Sequence, residues 1–121
     1  TNIDWPETGI IGSLSNFEFH EDGTISPWLT FDRHMLILKE LWKHRPSEMF
    51  ASIDRPVLFM PADSGDVAWT SNKETAINSA LAKLKSGRAQ WFRPAHHDLH
   101  AQHPEQCAMI LISNLKNGFF S

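Results

Sequence analysis

The chain has 121 residues, enough for one domain or for a piece of a larger one. Its hydrophobic share of 41%, with 21% of residues charged, is typical of a folded soluble protein and excludes a disordered one. A formal charge of −3 and the lack of a long apolar run give no reason to expect a nucleic-acid or membrane partner.

The single cysteine, Cys107, cannot form a disulfide within the chain. Proteins of a reducing compartment commonly lack disulfides. We therefore expect a cytoplasmic protein.

The first thirty residues predict little regular structure. Glycines and a proline interrupt residues 1–15, so no element is predicted there. Residues 16–20 (NFEFH) alternate as a strand does, and residues 21–24 (EDGT) are turn formers. We expect a small hairpin or an irregular lid segment here.

A helix is predicted next. Thr30 is a candidate N-cap and Pro46 a stop, and the apolar residues between them recur at helical spacing: Met35, Leu36, Leu38, Leu41 and Trp42. A second short helix is expected over residues 47–53, with Ser47 as its N-cap.

The second half of the chain predicts strands alternating with helices. Residues 55–61 form an apolar run bounded by prolines, as a strand buried on both faces does. Thr70 or Ser71 is expected to cap a helix that runs to Lys85 and ends before Gly87.

Residues 89–93 predict another strand, residues 94–103 a loop, and Pro104 the first turn of a last helix. Alternation of this kind predicts parallel strands joined by right-handed crossovers. We therefore expect an α/β protein with a partial doubly wound parallel sheet and flanking helices. The chain reads as a single domain or fragment, with residues 54–121 supplying these strand and helix units.

Polar side chains follow both predicted strands of this half. Asp63 and Asp66 come after the first strand, and His96 and His97 come after the second. Loops at the carboxyl ends of parallel strands carry the chemistry of such sheets. A histidine beside a carboxylate makes a general base whose ring is oriented by the acid. The alternative is structural: Asp63 caps a turn and Asp66 is a solvated loop residue.

A metal site is the competing interpretation of the histidine-rich segment. His96 and His100 are four residues apart, and His103 follows three residues later. The chain has no cysteine pair and no HExxH pattern. We predict neither a metal nor a cofactor.

Two segments resemble α/β hydrolases. Residues 56–66 (PVLFMPADSGD) are similar to the strand and acid segment of that family, and residues 97–105 (HDLHAQHPE) to its catalytic-histidine segment. The order of acid before histidine also matches the family. The resemblance covers about residues 30–115. It implies that His97 is the catalytic base and Asp66 the acid, with Asp63 as the alternative acid. His96 stands where the family usually has glycine.

The nucleophile of that family is missing. It lies on a strand-to-helix turn with the pattern GxSxG. Residues 12–16 (GSLSN) come nearest, but they lack the second glycine and a preceding strand. The resemblance thus implies the C-terminal half of an α/β-hydrolase fold, with residues 1–53 as its lid-like region.

The implied function is the C-terminal portion of a serine-type hydrolase of ester-like small molecules. We expect it to be inactive without a nucleophile-bearing segment, so whether the chain is itself an enzyme is left open. The alternative is a non-catalytic binding or self-associating module, such as a homodimer joined through an exposed sheet edge.

Overall fold

The structure is a computed structural model that describes residues 5–121. The longer elements of its first half are a helix, a hairpin and a second helix: α1 (Glu7–Leu14), β1 (Phe17–Phe19), β2 (Ile25–Pro27) and α2 (Phe31–Lys43). The second half alternates strands with helices: β3 (Val57–Phe59), α3 (Val67–Lys83), β4 (Gly87–Ala89), α4 (Leu99–Gln102) and α5 (Pro104–Lys116).

The predicted hairpin is confirmed. β1 and β2 pair antiparallel, with Glu18 opposite Ser26. The side chain of Asp22 closes the turn by accepting hydrogen bonds from the backbone N–H and the hydroxyl of Thr24. Gly23 has a φ of 82°, which favours glycine at this position of the turn. The hairpin forms a separate two-stranded sheet.

α2 is confirmed as a helix, and its residues are all exposed. Thr30 takes the N-cap position, although its side chain makes no capping hydrogen bond, and the helix ends at Lys43. The short helix predicted over residues 47–53 is replaced by two 3-10 turns, Pro46–Glu48 and Phe50–Ser52.

β3, α3 and β4 form one parallel β-α-β unit. Leu58 lies opposite Arg88 in the register. The predicted caps of the intervening helix were wrong, because Asp66 is the N-cap and accepts a hydrogen bond from the backbone N–H of Trp69 at 2.9 Å. The predicted end at Gly87 was also late: α3 ends at Lys83 and Gly87 already begins β4. The strand predicted over residues 89–93 therefore lies earlier in the chain, because β4 ends at Ala89.

Two helices appear where none was predicted. α1 occupies the glycine-interrupted start of the chain, and it packs against α4. α4 is a single turn within the segment predicted to be a loop. α5 begins at Pro104, as predicted.

The prediction of a partial doubly wound parallel sheet was wrong. Such a sheet needs several parallel strands with helices on both faces. Within residues 5–121 the parallel sheet has two strands of three residues each, and the other two strands form the antiparallel hairpin. The reason is local: β3 and β4 are short and only partly buried, and the first half contributes a turn-closed hairpin instead of further crossovers.

The core is small and lies where β3 and β4 end. It consists of Ala62, Phe92, Ala95, Leu99 and Cys107, with Met60 and Ile110 packed against it. These residues come from the loops after both strands and from α4 and α5. The core therefore fixes the segments that carry the candidate acids and histidines. In the described part of the chain, no helix combines the length and the apolar character that crossing a bilayer requires.

Candidate functional site

The candidate site is formed by two loops, each of which follows a strand of the parallel pair. We call residues 60–66, after β3, the acid loop, and residues 90–98, after β4, the histidine loop. Backbone hydrogen bonds join them beyond the strands: the N–H of Phe92 donates to the carbonyl of Pro61 at 2.9 Å, and the N–H of Asp63 donates to the carbonyl of Phe92 at 3.0 Å. The N–H of Ala95 donates to the carbonyl of Asp63 at 2.8 Å. The two loops therefore run side by side, as the sequence predicted.

The carboxylate of Asp63 is held within the acid loop and by the adjoining helix. Its Oδ1 accepts hydrogen bonds from the hydroxyl of Thr70 at 2.7 Å and from the backbone N–H of Gly65 at 2.9 Å. Its Oδ2 lies 3.2 Å from Nε of Arg93, on the histidine loop. Both oxygens are thus occupied by donors.

These donors lower the pKa of Asp63 from its ordinary value. The hydrogen bond from Thr70 contributes most, followed by the one from Gly65. Desolvation opposes them, and the charges of Arg93 and Lys73 add to the lowering. Asp63 is therefore an ionised carboxylate at neutral pH.

Arg93 connects the histidine loop to two other parts of the β-α-β unit. Besides Asp63, its guanidinium pairs with Glu74 on α3. It also stacks over the ring of Trp91, 4.4 Å from the ring centroid. On the other side of the acid loop, Nζ of Lys73 donates to the carbonyl of Ala62.

Asp66 is placed differently from Asp63. It is exposed, and its Oδ1 accepts the capping hydrogen bond from the backbone N–H of Trp69. Among residues 5–121, no donor contacts its Oδ2. Asp66 thus keeps one carboxylate oxygen open to a further partner, whereas Asp63 does not.

His97 lies at the end of the histidine loop with its side chain exposed. Its carbonyl accepts a hydrogen bond from the backbone N–H of Leu99 at 3.0 Å. Within the described range 5–121, its ring is not hydrogen-bonded to Asp63 or Asp66. The structure brings the loops together, and the imidazole–carboxylate hydrogen bond itself stays a prediction.

The neighbouring histidines have other contacts. The backbone N–H of His96 donates to Oε1 of Gln102 at 2.7 Å. The ring of His103 stacks on Phe92, with centroids 5.9 Å apart. His100 lies exposed on α4. In the part of the chain that the structure describes, no group of three or more potential ligands is arranged to hold a metal ion.

Two depressions bear on where a small molecule could sit. One of about 230 Å³ lies beside Asp63 and the first turns of α3, and its lining includes Gly65, Thr70 and Glu74. A larger one of about 730 Å³ lies along α2, away from both loops, and is mainly apolar. The smaller depression adjoins the acid loop, although its lining includes neither Asp66 nor His97.

The thiol of Cys107 is poorly suited to act as a nucleophile. It is buried in the core, and its Sγ donates weakly to the carbonyl of Leu99 at 3.7 Å. Burial raises the pKa of this thiol, so the reactive thiolate is disfavoured.

The contacts of Thr70 and Arg93 with Asp63 do not follow from the sequence pattern. The sequence predicts Thr70 as a helix cap, yet its hydroxyl donates to the Asp63 carboxylate from one turn inside α3, whose N-cap is Asp66. For Arg93 the sequence predicts only the last residue of a strand. A cation placed just after one parallel strand, with an acid just after the other, is the signal that predicts such a pair.

Comparisons of the chain with protein-family models, with curated proteins and with solved structures find no match. The geometry of the two loops and the resemblance of residues 56–66 and 97–105 are therefore what a functional proposal can use.

Proposed function

We propose that this chain supplies the base and the acid of a serine-type hydrolase acting on small ester-like molecules. His97 is the general base and Asp66 the acid that orients it. The serine comes from a nucleophile-bearing segment that these 121 residues do not contain, since they lack a GxSxG turn.

The pairing of the acid loop with the histidine loop is the observation that carries this proposal. Three backbone hydrogen bonds hold the loops together beyond the ends of β3 and β4. Side chains that follow parallel strands at one edge of a sheet can then converge on one substrate. The resemblance of both loops to the acid and histidine segments of α/β hydrolases supports the same assignment.

The division of labour between the two acids follows from their contacts. Asp63 uses both carboxylate oxygens for Thr70, Gly65 and Arg93, which suits a residue that holds the loops in place. Asp66 has an oxygen left for the Nδ1–H of His97. Asp66 is therefore the orienting acid of the proposal, and Asp63 the alternative.

The proposed reaction is acyl transfer to water. His97 accepts the serine proton while the serine oxygen attacks the ester carbonyl carbon, and it returns that proton to the departing alcohol. His97 then accepts a proton from water as the water oxygen attacks the acyl-enzyme. The carboxylic acid leaves and the serine regains its proton. The carboxylate of Asp66 stabilises the imidazolium that forms in each half of the cycle.

Two further expectations belong to this proposal. The partner is a nucleophile-bearing segment, either part of the same polypeptide or a separate chain. The compartment is a reducing cytoplasm, for which the single, buried and unpaired cysteine is the supporting observation.

Labelling with a fluorophosphonate, which traps an activated serine, tests the proposal. The purified chain should stay unlabelled, and the serine of the nucleophile-bearing segment should be labelled when this chain is present. His97→Ala should slow that labelling about 100- to 10,000-fold. His100→Ala, at an exposed position one turn further on, is the matched control and should leave the rate unchanged. Labelling of a serine in the purified chain, or equal rates in both variants, contradicts the proposal.

A further inference from the structure

α2 carries an apolar seam with the spacing of a helix–helix interface. Phe31, Met35, Leu38 and Trp42 follow one another at intervals of four, three and four residues, which places them on one side of the helix. We call these four residues the α2 seam. Phe31 is 75% exposed and Trp42 85% exposed, and the other two residues of the seam are also exposed.

The chain exposes more total surface than a compact monomer of its mass does. The chain exposes 9357 Å², whereas a folded monomer of 13.8 kDa is expected to expose about 6,600 Å². The excess is larger than the roughly 800 Å² that one partner buries in a standard interface. Part of this excess lies on α2, where every residue of the helix is exposed.

We propose that the α2 seam pairs antiparallel with the α2 seam of a second copy of this chain. In that arrangement Phe31 lies opposite Trp42 of the second copy, and Met35 lies opposite its Leu38. A two-fold axis relates the two copies, so each contact occurs twice and the same apolar stripe is buried on both helices. This inference does not depend on the proposed catalytic function.

Charge favours this occupant and this direction. Asp32 lies in the first turn of α2 and Lys43 in its last turn, on the same flank of the seam. Antiparallel pairing places Asp32 of one copy beside Lys43 of the other at both ends, and it opposes the two helix dipoles favourably. Lys43 also pairs with Glu40 in its own helix, at 2.8 Å. Both side chains are largely exposed, so this pair contributes little and Lys43 can pair with Asp32 of the second copy instead.

The first test compares two leucines of the same helix. Leu38→Glu puts a charge into the seam and should raise the dimer dissociation constant, measured by sedimentation equilibrium, about tenfold or more. Leu36→Glu changes a leucine on another side of α2 that is more exposed (62%, against 44% for Leu38), and it should leave the constant unchanged. Neither leucine is buried in the protomer, so circular dichroism should show both variants folded. A monomeric wild-type chain, or equal effects of the two substitutions, overturns the proposal.

The second test exchanges the end charges. Asp32→Lys and Lys43→Asp should each weaken self-association, because each variant places like charges beside one another at both ends of the pair. An equimolar mixture of the two variants should regain the wild-type dimer as a heterodimer. Arg33→Glu, which alters charge off the seam, is the control and should behave as the wild type. A mixture that associates no better than its components contradicts pairing through the α2 seam.

Discussion

The carboxylate of Asp63 and the guanidinium of Arg93 join the acid loop to the histidine loop, with Nε and Oδ2 3.2 Å apart. The pair lies beside the backbone hydrogen bonds between Asp63 and both Phe92 and Ala95. Main-chain and side-chain contacts thus fix the same two loops. The candidate site depends on this double connection, since each loop alone is a short irregular segment.

Arg93→Ala should weaken this connection. The loss of the stacking on Trp91 alone should lower the free energy of unfolding by about 0.5–1 kcal/mol, and the loss of the pairs with Asp63 and Glu74 should add to it. Urea denaturation measures the change. Lys85→Ala is the control, because its pair with Asp54 is exposed at both ends and should contribute no more than about 0.5 kcal/mol. Equal effects of the two substitutions would mean that Arg93 does not anchor the loops.

Asp63 should make stability depend on acid pH. Its pKa is lower in the folded chain than its ordinary value of 3.8, so the unfolded chain binds the proton more readily. The stabilising contribution is therefore complete above the ordinary pKa and is lost as pH falls through the lower folded pKa. Asp63→Asn should be less stable than the wild type at neutral pH and should lose less stability on acidification, as followed by urea denaturation at several pH values.

The hydroxyl of Thr70 is the main cause of that lowered pKa, and a second variant isolates it. Thr70→Val removes the hydroxyl and keeps the carboxylate. The pKa of Asp63, followed through its side-chain carboxyl carbon by NMR, should rise towards the ordinary value. An unchanged titration would show that Thr70 does not hold the carboxylate.

Two substitutions of Asp66 should distinguish its structural role as the N-cap of α3 from its proposed role as the orienting acid. Asp66→Ala removes the N-cap of α3 and should cost about 1 kcal/mol of stability, whereas Asp66→Asn keeps a capping oxygen and should cost little. Under the proposed function both variants lose the orienting charge, so both should slow fluorophosphonate labelling of the completed enzyme. If Asp66→Asn labels at the wild-type rate while Asp63→Asn does not, the acid is Asp63.

The packing of α1 against α4 should depend on the absence of a side chain at Gly9. A Cβ at this position would lie 1.9 Å from the carbonyl oxygen of Ala101, so Gly9→Ala should separate the two helices and lower the thermal midpoint. Gly12→Ala, in the same helix, meets nothing within 4 Å and should stabilise by about 0.5–1 kcal/mol. Similar effects of the two alanines would contradict the close approach.

The sequence predicted local elements better than their assembly. The hairpin, α2, the parallel β-α-β unit and the start of α5 follow from short patterns, namely alternation, helical spacing, paired prolines and Pro104. The extent of the sheet depends on how many strands pair with one another, and no local sequence pattern gives that number. α1 was missed because Gly9 and Gly12 lower helix propensity, and the contact of Gly9 with α4 became visible only in three dimensions.

The proximity of the two loops was predicted, and their side-chain contacts were not. The polar residues after the two strands indicated that the acid and histidine loops would meet, and the hydrogen bonds of Asp63 confirm this. The choice of donors was not predictable, because Thr70 and Arg93 reach Asp63 from a helix turn and from the other loop. Spacing along the chain does not say which donors surround a given carboxylate.

The most direct test of the proposed function is to find whether a serine outside these 121 residues works with His97. Protein isolated from its source with an antibody to this chain is treated with a fluorophosphonate, and the labelled peptide is identified by mass spectrometry. The proposed function predicts one labelled serine in a GxSxG sequence outside these 121 residues, on a polypeptide that is joined to this chain or purifies with it. A label on a serine within the chain, or none at all, would contradict it.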